Sequence, residues 1–190
     1  MAIAQETGIP FLEENEVIGQ VAELYDEVKS VLQSPFVPNI MKAIAVSAPA
    51  LKIYWSLFKN ATAHLTLPES LVSMISYTVA QNNNCRYCST NYELSCRVLG
   101  IDEQTLAALV EDLGNVTPER VRAIIEFAVM VARHPQGLTA ADYDALRQYG
   151  ITDAEIVEIV LIAAATSFGN IISDALKVPV EQEVISALSG

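Results

Sequence analysis

The sequence predicts an all-α protein. Apolar residues recur at helical spacing along nearly the whole chain, and in segment 121–132 they follow the i, i+3, i+4, i+7 rhythm of one buried helix face. No segment shows the sustained alternation of apolar and polar residues, bounded by turn residues, that predicts paired strands. Helix start and stop signals divide the chain at short intervals. Helices alone therefore account for the pattern, and no sheet is predicted.

The start signals are capping residues. Segments 66–69, 139–142 and 152–155 each place an acidic residue three positions after a threonine, which is the capping-box spacing or its Asp variant. Thr117 followed by Pro118 predicts a cap and a first helical residue. With the breaks at Pro, Gly and Asn clusters, these signals predict helices near 16–32, 38–46, 48–63, 68–82, 86–99, 103–113, 118–133, 140–148, 153–176 and 180–188.

Two helix–helix connections share one form. Segments 100–102 and 150–152 each consist of a glycine that stops a helix, an isoleucine, and a capping residue that starts the next helix. The repetition is consistent with a remnant of an internal helical duplication. It is equally consistent with convergence of two short loops on the same chemistry.

The composition is that of a core-rich, acidic chain. Its 190 residues are 52% hydrophobic and 18% charged, and 11 Lys and Arg against 23 Asp and Glu give a formal net charge of −12. This length fits one domain, 1–190. The negative charge argues against nucleic acid and anionic membrane surfaces as partners, because both would repel the chain. So many apolar residues in short helices lead us to expect a homo-oligomer.

The N-terminal residues 1–11 show no basic segment followed by an apolar run, so no secretory signal is predicted and we expect a cytoplasmic location. The longest charge-free stretches, 70–85 and 159–173, fall short of the roughly 20 apolar residues of a membrane span. We therefore expect no membrane partner.

The most informative feature is the pair Cys85 and Cys88. The preceding Asn82–Asn84 run disfavours helix and can cap one, which places both cysteines in the first turn of a helix, where N–H groups and the helix dipole stabilise a thiolate. Arg86 lies between them, and its charge is expected to lower a thiol pKa below about 8.5. Cysteines three apart in such a turn can form a disulfide with modest adjustment. The alternative is that both are small core residues.

The third cysteine and the histidines predict no further site. Cys96 lies eight residues beyond Cys88 on the same helix, too far to bridge to it, and is expected to be a buried structural thiol. His64 and His134 stand in unrelated contexts and are expected at exposed helix ends, so we predict no metal and no other cofactor. Tyr87 and Tyr92 fit either core packing or hydrogen bonding near the sulfurs.

Several segments resemble the AhpD-like group of the carboxymuconolactone decarboxylase superfamily, in particular its peroxidase-related members. The central one is Asn83-Asn84-Cys85-Arg86-Tyr87-Cys88, which follows Leu67-Pro68-Glu69 and an apolar helix and is similar to the family's Asn-Gly-Cys-x-Tyr-Cys segment. The resemblance extends over about 15–176 through weaker matches at 21–25, 36–39, 99–101, 150–156 and 168–170.

The resemblance implies an all-helical, homo-oligomeric fold with thiol chemistry at the cysteine pair. Cys88 would attack a hydroperoxide, and Cys85 would resolve the resulting sulfenic acid as a Cys85–Cys88 disulfide. The implied partners are a small hydroperoxide or disulfide substrate and a thiol reductant protein. In the family a glutamate and a histidine relay the protons.

This chain departs from the family at both relay positions. The histidine position, four residues after the second cysteine, holds Tyr92, and the glutamate position, twelve before the first cysteine, holds Ser73. Neither side chain is a good base near neutral pH. Glu69 or Glu93 are candidate substitutes, although each also fits a helix-capping or helix-surface carboxylate.

Three functions are compatible with these observations. The first is a thiol-dependent oxidoreductase, either a peroxidase or a disulfide exchanger. The second is a helical oligomer that kept the fold without the chemistry and serves as a binding or assembly module. The third is a lactone decarboxylase, which is the least supported because those enzymes do not depend on a cysteine pair and no paired arginines mark a carboxylate-binding site.

Overall fold

A computed structural model describes residues 6–63 and 65–189, and that part of the chain is all-α, as predicted. Short 3-10 turns lie at Glu14–Glu16, Leu113–Asn115 and Pro135–Gly137. The helices are α1 (Gln20–Leu32), α2 (Asn39–Ile44), α3 (Ala48–Ala63), α4 (Glu69–Asn82), α5 (Arg86–Val98), α6 (Glu103–Glu111), α7 (Glu119–Arg133), α8 (Ala140–Gln148), α9 (Asp153–Ala175) and α10 (Gln182–Ser189).

The repeated connections have the local structure that their sequences predict. Gly100 and Gly150 adopt φ values of 79° and 74°, the left-handed conformation in which glycine ends a helix without strain. In the second connection Thr152 forms the complete capping box: its hydroxyl accepts from the Glu155 N–H at 3.2 Å, and the Glu155 carboxylate accepts from the Thr152 N–H at 2.7 Å. The origin of the repetition stays a hypothesis.

Several predicted helix starts differ from the observed ones by one to four residues. α1 begins at Gln20 rather than near 16, because Gly19 at φ 60° occupies the N-cap. Pro68 and Pro118 are themselves N-caps rather than first helical residues, so the preceding threonines do not cap these helices. Thr66 instead donates its N–H and hydroxyl to the carboxylate of Glu158, both at 3.0 Å, and so ties the α4 entry to α9.

The buried apolar residues form two clusters. The large core is built mainly from α4, α6, α7, α8 and α9, and the N-terminal core from α1, α2, α3, the start of α5 and Val178. α4 and α9 pack against each other, and both contact α5 and α7. Tyr92, on α5, packs against both clusters, so the middle of α5 lies where they meet.

α9 is the longest described helix and the most apolar. By length and composition alone it could cross a membrane, since an 18-residue window has a mean hydropathy of 1.8. In this structure 39% of that window is buried within the chain, where α9 packs against α3, α4, α5, α7 and α8. The buried face is apolar at Ile159 and Ala163 but polar at Asn170 and Ser173.

A buried carboxylate joins the end of the chain to the helices around the cysteine pair. Glu181 is 3% exposed, and its oxygens accept from the Asn39 N–H at 2.7 Å, the Tyr87 hydroxyl at 2.7 Å and the Asn91 amide at 3.2 Å. Its donors come from the start of α2 and from α5. Because Tyr87 directly precedes Cys88, the hydrogen bonds to Glu181 fix the position of the first turn of α5.

We expect Glu181→Ala to lower the free energy of unfolding by about 3 kcal/mol, because it leaves buried donors without an acceptor. Urea denaturation measures the change. The matched control is Glu183→Ala, at an exposed carboxylate two residues further on, which should stay within about 0.5 kcal/mol of the parent. Equal effects of the two substitutions would show that the Glu181 cluster does not stabilise the fold.

Candidate active site

The turn between α4 and α5 places the two cysteines. Asn83 caps α4, and Asn84 adopts φ 58°, a left-handed conformation that asparagine tolerates better than most residues. The chain then enters α5 with Cys85 as its N-cap, and the Cys88 N–H donates to the Cys85 sulfur at 3.4 Å. The predicted location of the pair, in the first turn of a helix, is confirmed.

The two cysteines are thiols, and they are chemically unequal. Cys85 is fully buried, whereas Cys88 is 7% exposed. A hydrogen bond from the Cys85 thiol to the Cys88 sulfur lowers the pKa of Cys88, and burial opposes it. The same hydrogen bond, together with burial, raises the pKa of Cys85. Cys88 is therefore the more acidic sulfur and the better nucleophile near neutral pH.

α9 supplies the other polar contacts of Cys88. The Cys88 sulfur lies 3.4 Å from the hydroxyl oxygen of Ser173, whose own hydrogen is donated to the Gly169 carbonyl at 2.9 Å. Asn170, 2% exposed and one turn earlier on the same face, also lowers the pKa of Cys88 through its amide. The Asn170 side-chain oxygen accepts from the Asn83 amide at 2.9 Å.

Sequence reasoning assigned no role to Ser173 or Asn170. Both lie more than 80 residues from Cys88 along the chain, so no local motif joins them to it. A signal was nevertheless present, because Thr166, Asn170 and Ser173 follow helical spacing on an otherwise apolar helix. Buried polar residues at that spacing indicate a polar site on the core-facing side of α9.

Tyr92 stands in a group of hydroxyls. The Thr166 hydroxyl donates to Ser76 at 3.1 Å, and both side chains also hydrogen-bond to the Tyr92 phenol. Burial and the neighbouring Cys88 raise the pKa of Tyr92, so this phenol stays protonated near neutral pH. Burial also raises the pKa of Tyr54, whose ring lies on the same side of the site. The position of the family's histidine thus holds a hydrogen-bond donor that does not act as a base.

A cavity of about 540 Å³ lies beside this group. Three of the residues singled out in the sequence, Tyr92, Ser73 and Glu69, line it together. Gly169, whose carbonyl accepts from Ser173, lines it as well, so the cavity adjoins the surroundings of Cys88. Its remaining wall is mostly apolar and aromatic: Val31, Leu32, Tyr54, Leu57, Phe58, Ala61, Leu65, Leu67, Val72, Ser76, Ser95, Ile162, Ala165, Thr166 and Phe168.

Other sequence candidates lie away from the sulfurs. Arg86 is exposed, and the leading cause of the lowered pKa of Cys88 is a hydrogen bond, so a role for the Arg86 charge stays a prediction. Glu93 pairs with Arg97 at 2.9 Å on the helix surface. Cys96 is fully buried, and burial raises its pKa to about 12, as a structural thiol requires.

The described histidine, His134, is exposed at the end of α7, while His64 lies outside the described residues. Within 6–63 and 65–189, no group of three or more His, Cys, Asp or Glu side chains is arranged to hold a metal ion.

No protein-family model and no curated protein matches the sequence. Solved structures match it over most of its length. An AhpD-core, peroxidase-related protein from Ralstonia eutropha superposes with a TM-score of 0.83 at 21% identity, covering 92% of each chain. A peroxidase-related protein from a Silicibacter species superposes with a TM-score of 0.78 at 23% identity, and the match covers 87% of this chain and 86% of the other.

A third similar structure is the debrominase Bmp8, with a TM-score of 0.80 at 20% identity and 97% coverage of both chains. The two peroxidase-related proteins are uncharacterized and the third is a debrominase, and identities this low establish architecture rather than reaction. This chain has the all-helical AhpD-like fold of the peroxidase-related proteins.

Proposed function

We propose that this protein is a thiol-dependent oxidoreductase that reduces hydroperoxides through Cys88 and Cys85. The observation that carries the proposal is the inequality of the pair: Cys88 has a lowered pKa and slight exposure, whereas Cys85 is fully buried and keeps its proton. A reactive thiolate beside a protonated thiol is the arrangement that peroxide reduction followed by disulfide formation requires.

The reaction has two steps. The Cys88 thiolate attacks the terminal oxygen of the hydroperoxide, so that an S–O bond forms, the O–O bond breaks, and an alcohol leaves after taking up a proton. Cys85 then loses its proton and attacks the sulfenic sulfur, which forms the S–S bond and releases water. The two thiols together supply the two electrons that the hydroperoxide accepts. A thiol reductant, such as a reducing protein, must then return the pair to the thiol state.

The missing relay does not prevent this chemistry. A relay base is needed to form the thiolate, but here hydrogen bonds already lower the pKa of Cys88. Tyr92 and Ser73 act as neutral lining groups, and Tyr92 can donate its proton toward the departing alkoxide. The adjoining cavity offers room for the organic part of a hydroperoxide. We place the reaction in the cytoplasm, where thiol reductants keep such cysteines reduced.

A pulse of organic hydroperoxide should reduce the thiol count of the denatured protein from three to one. Cys96→Ser serves as the matched control and should still lose the reactive pair. In Cys85→Ser the reaction should stop at a sulfenic acid that dimedone traps at Cys88, and Cys88→Ser should not react. Unchanged thiols, or loss confined to Cys96, would favour a binding or assembly module on the same fold.

The rate at which iodoacetamide alkylates Cys88 should rise with pH. The pH midpoint of this rise should be lower in the folded protein than in the urea-unfolded chain. The reason is that hydrogen bonds to the sulfur stabilise the folded-state thiolate and depress its pKa, so the thiolate persists to lower pH. Peptide mass spectrometry identifies the labelled residue in a Cys96→Ser background. A folded midpoint at or above the unfolded one would contradict the assignment of Cys88 as nucleophile.

We also propose that a second copy of the chain covers the outer face of α9. Four large apolar side chains on that face are exposed at helical spacing: Val157 (67%), Leu161 (43%), Phe168 (37%) and Ile171 (69%). A continuous apolar stripe of this kind is typical of an interface between subunits. The stripe runs past the cavity, which Phe168 also lines, so association would narrow the route to the site.

Multi-angle light scattering at micromolar concentration should give at least twice the chain mass of 20.6 kDa. Leu161→Glu should shift the mass toward 20.6 kDa, because it places a charge in the apolar stripe. Val98→Glu, at a residue 77% exposed on α5, is the control and should leave the mass unchanged. A parent protein of 20.6 kDa would contradict the proposed assembly.

A further inference from the structure

Asn170 holds a buried amide group whose nitrogen lacks a conventional partner. The residue is 2% exposed on α9, and within the described part of the chain its Nδ2 has no hydrogen-bond partner. Its Oδ1 is well satisfied by the Asn83 amide at 2.9 Å. Burying an unpaired donor is costly, and native structures keep such groups mostly where they serve the chemistry of a site.

Neighbouring contacts determine which way the amide points. The Asn83 nitrogen donates both to Asn170 Oδ1 and to the Ser167 hydroxyl at 3.3 Å, so the oxygen of Asn170 is turned toward α4 and its nitrogen away from it. Ser173, three residues further along the same face, reaches the Cys88 sulfur at 3.4 Å. The free nitrogen therefore lies on the face of α9 that borders Cys88.

The other donors near Cys88 are already committed. The single hydrogen of Ser173 is donated to the Gly169 carbonyl at 2.9 Å. The hydrogen of Cys85, which now supports the Cys88 sulfur, must leave when Cys85 attacks the sulfenic acid. The two amide hydrogens of Asn170 are not consumed at any step, so they remain available to the thiolate and then to the oxygen that it acquires.

We propose that Asn170, oriented by Asn83, is the hydrogen-bond donor that holds the Cys88 thiolate and its sulfenic oxygen in place. The contact to the sulfenic oxygen rests on the proposed function, since the sulfenic acid arises only if hydroperoxide is the substrate. The contact to the thiolate does not. In this proposal Asn170 donates directly to the reacting sulfur and is therefore assigned as a catalytic residue, whereas Asn83 acts through it and is a positioning residue. An amide does not titrate, so this support is independent of pH.

Titratable groups approach Cys88 from several elements. Cys85 and Tyr92 lie on or next to its own helix, Tyr54 faces it from α3, and Asp174 lies beyond Ser173 on α9, where its charge raises the pKa of Cys88. On the side of α10, Glu181 is held by Tyr87 and Asn91 and does not face the sulfur. The neutral substitutions Asn83→Ala and Asn170→Ser leave all of these groups in the chain and add no charge, so a change in the Cys88 titration in these variants reports the amide, whereas Asn170→Asp also adds a negative charge.

The test measures the pH midpoint of iodoacetamide labelling at Cys88 in Asn170→Asp, Asn83→Ala and the parent protein, all in a Cys96→Ser background. Asn170→Asp is nearly isosteric and replaces the donor with a carboxylate, so we expect the midpoint to rise by at least one pH unit and labelling at pH 7 to slow about tenfold. Asn83→Ala releases the amide to rotate and should raise the midpoint by a smaller amount. Asn115→Asp, at an exposed asparagine, is the matched control and should leave the midpoint unchanged.

Circular dichroism establishes that each variant is folded. If Asn170→Asp does not fold, Asn83→Ala and Asn170→Ser carry the test. An unchanged midpoint in folded variants would overturn the inference, whether or not the parent reduces hydroperoxide. If the midpoints rise but no variant or parent reacts with hydroperoxide, the thiolate contact stands and the proposed function fails. If the parent reacts, the Cys88 sulfenic acid in a Cys85→Ser background should decay faster with Asn83→Ala than without it, as measured by adding dimedone at increasing delays after the hydroperoxide pulse.

Discussion

The contact between Asn83 and Asn170 joins the end of α4 to the middle of α9, and the arrangement of the site depends on it. On one side, Asn83 is the residue from which the chain turns through Asn84 into the cysteine-bearing helix. On the other, Asn170 lies one turn from Ser173, the hydroxyl next to the Cys88 sulfur. The Asn83 amide thus holds the cysteine turn against the polar part of α9 through hydrogen bonds to Asn170 at 2.9 Å and to Ser167 at 3.3 Å.

The location of the site follows from the way the chain buries its apolar surface. Two hydrophobic clusters meet along α5, with Cys85 and Cys88 in the N-terminal core and Cys96 in the large core. Polar side chains are tolerated at this boundary because they satisfy one another, as Ser76 and Thr166 do. Close packing is interrupted there, and the cavity lined by Tyr92 occupies the gap.

Local patterns predicted most of the helices and the setting of the cysteines. Periodicity and caps such as Thr152 act within a few residues, so the α8–α9 connection was predictable in detail. The starts of α1 and α7 were not, because Gly19 and Pro118 serve as caps through backbone conformation rather than through a side chain. The partners of Cys88 other than Cys85 come from α9 and depend on tertiary packing, which no spacing in a single sequence specifies.

The unequal burial of the pair has a consequence for how the proposed disulfide is reopened. A thiol that attacks the Cys88 sulfur, the slightly exposed one, must expel Cys85, and burial disfavours the departing Cys85 thiolate. Attack on Cys85 would expel the better leaving group, but that sulfur is fully buried. In the proposed disulfide, the sulfur that a thiol can reach and the sulfur that departs more easily are therefore different atoms. We expect the oxidised form to react slowly with small thiols and to require a reductant that opens the first turn of α5.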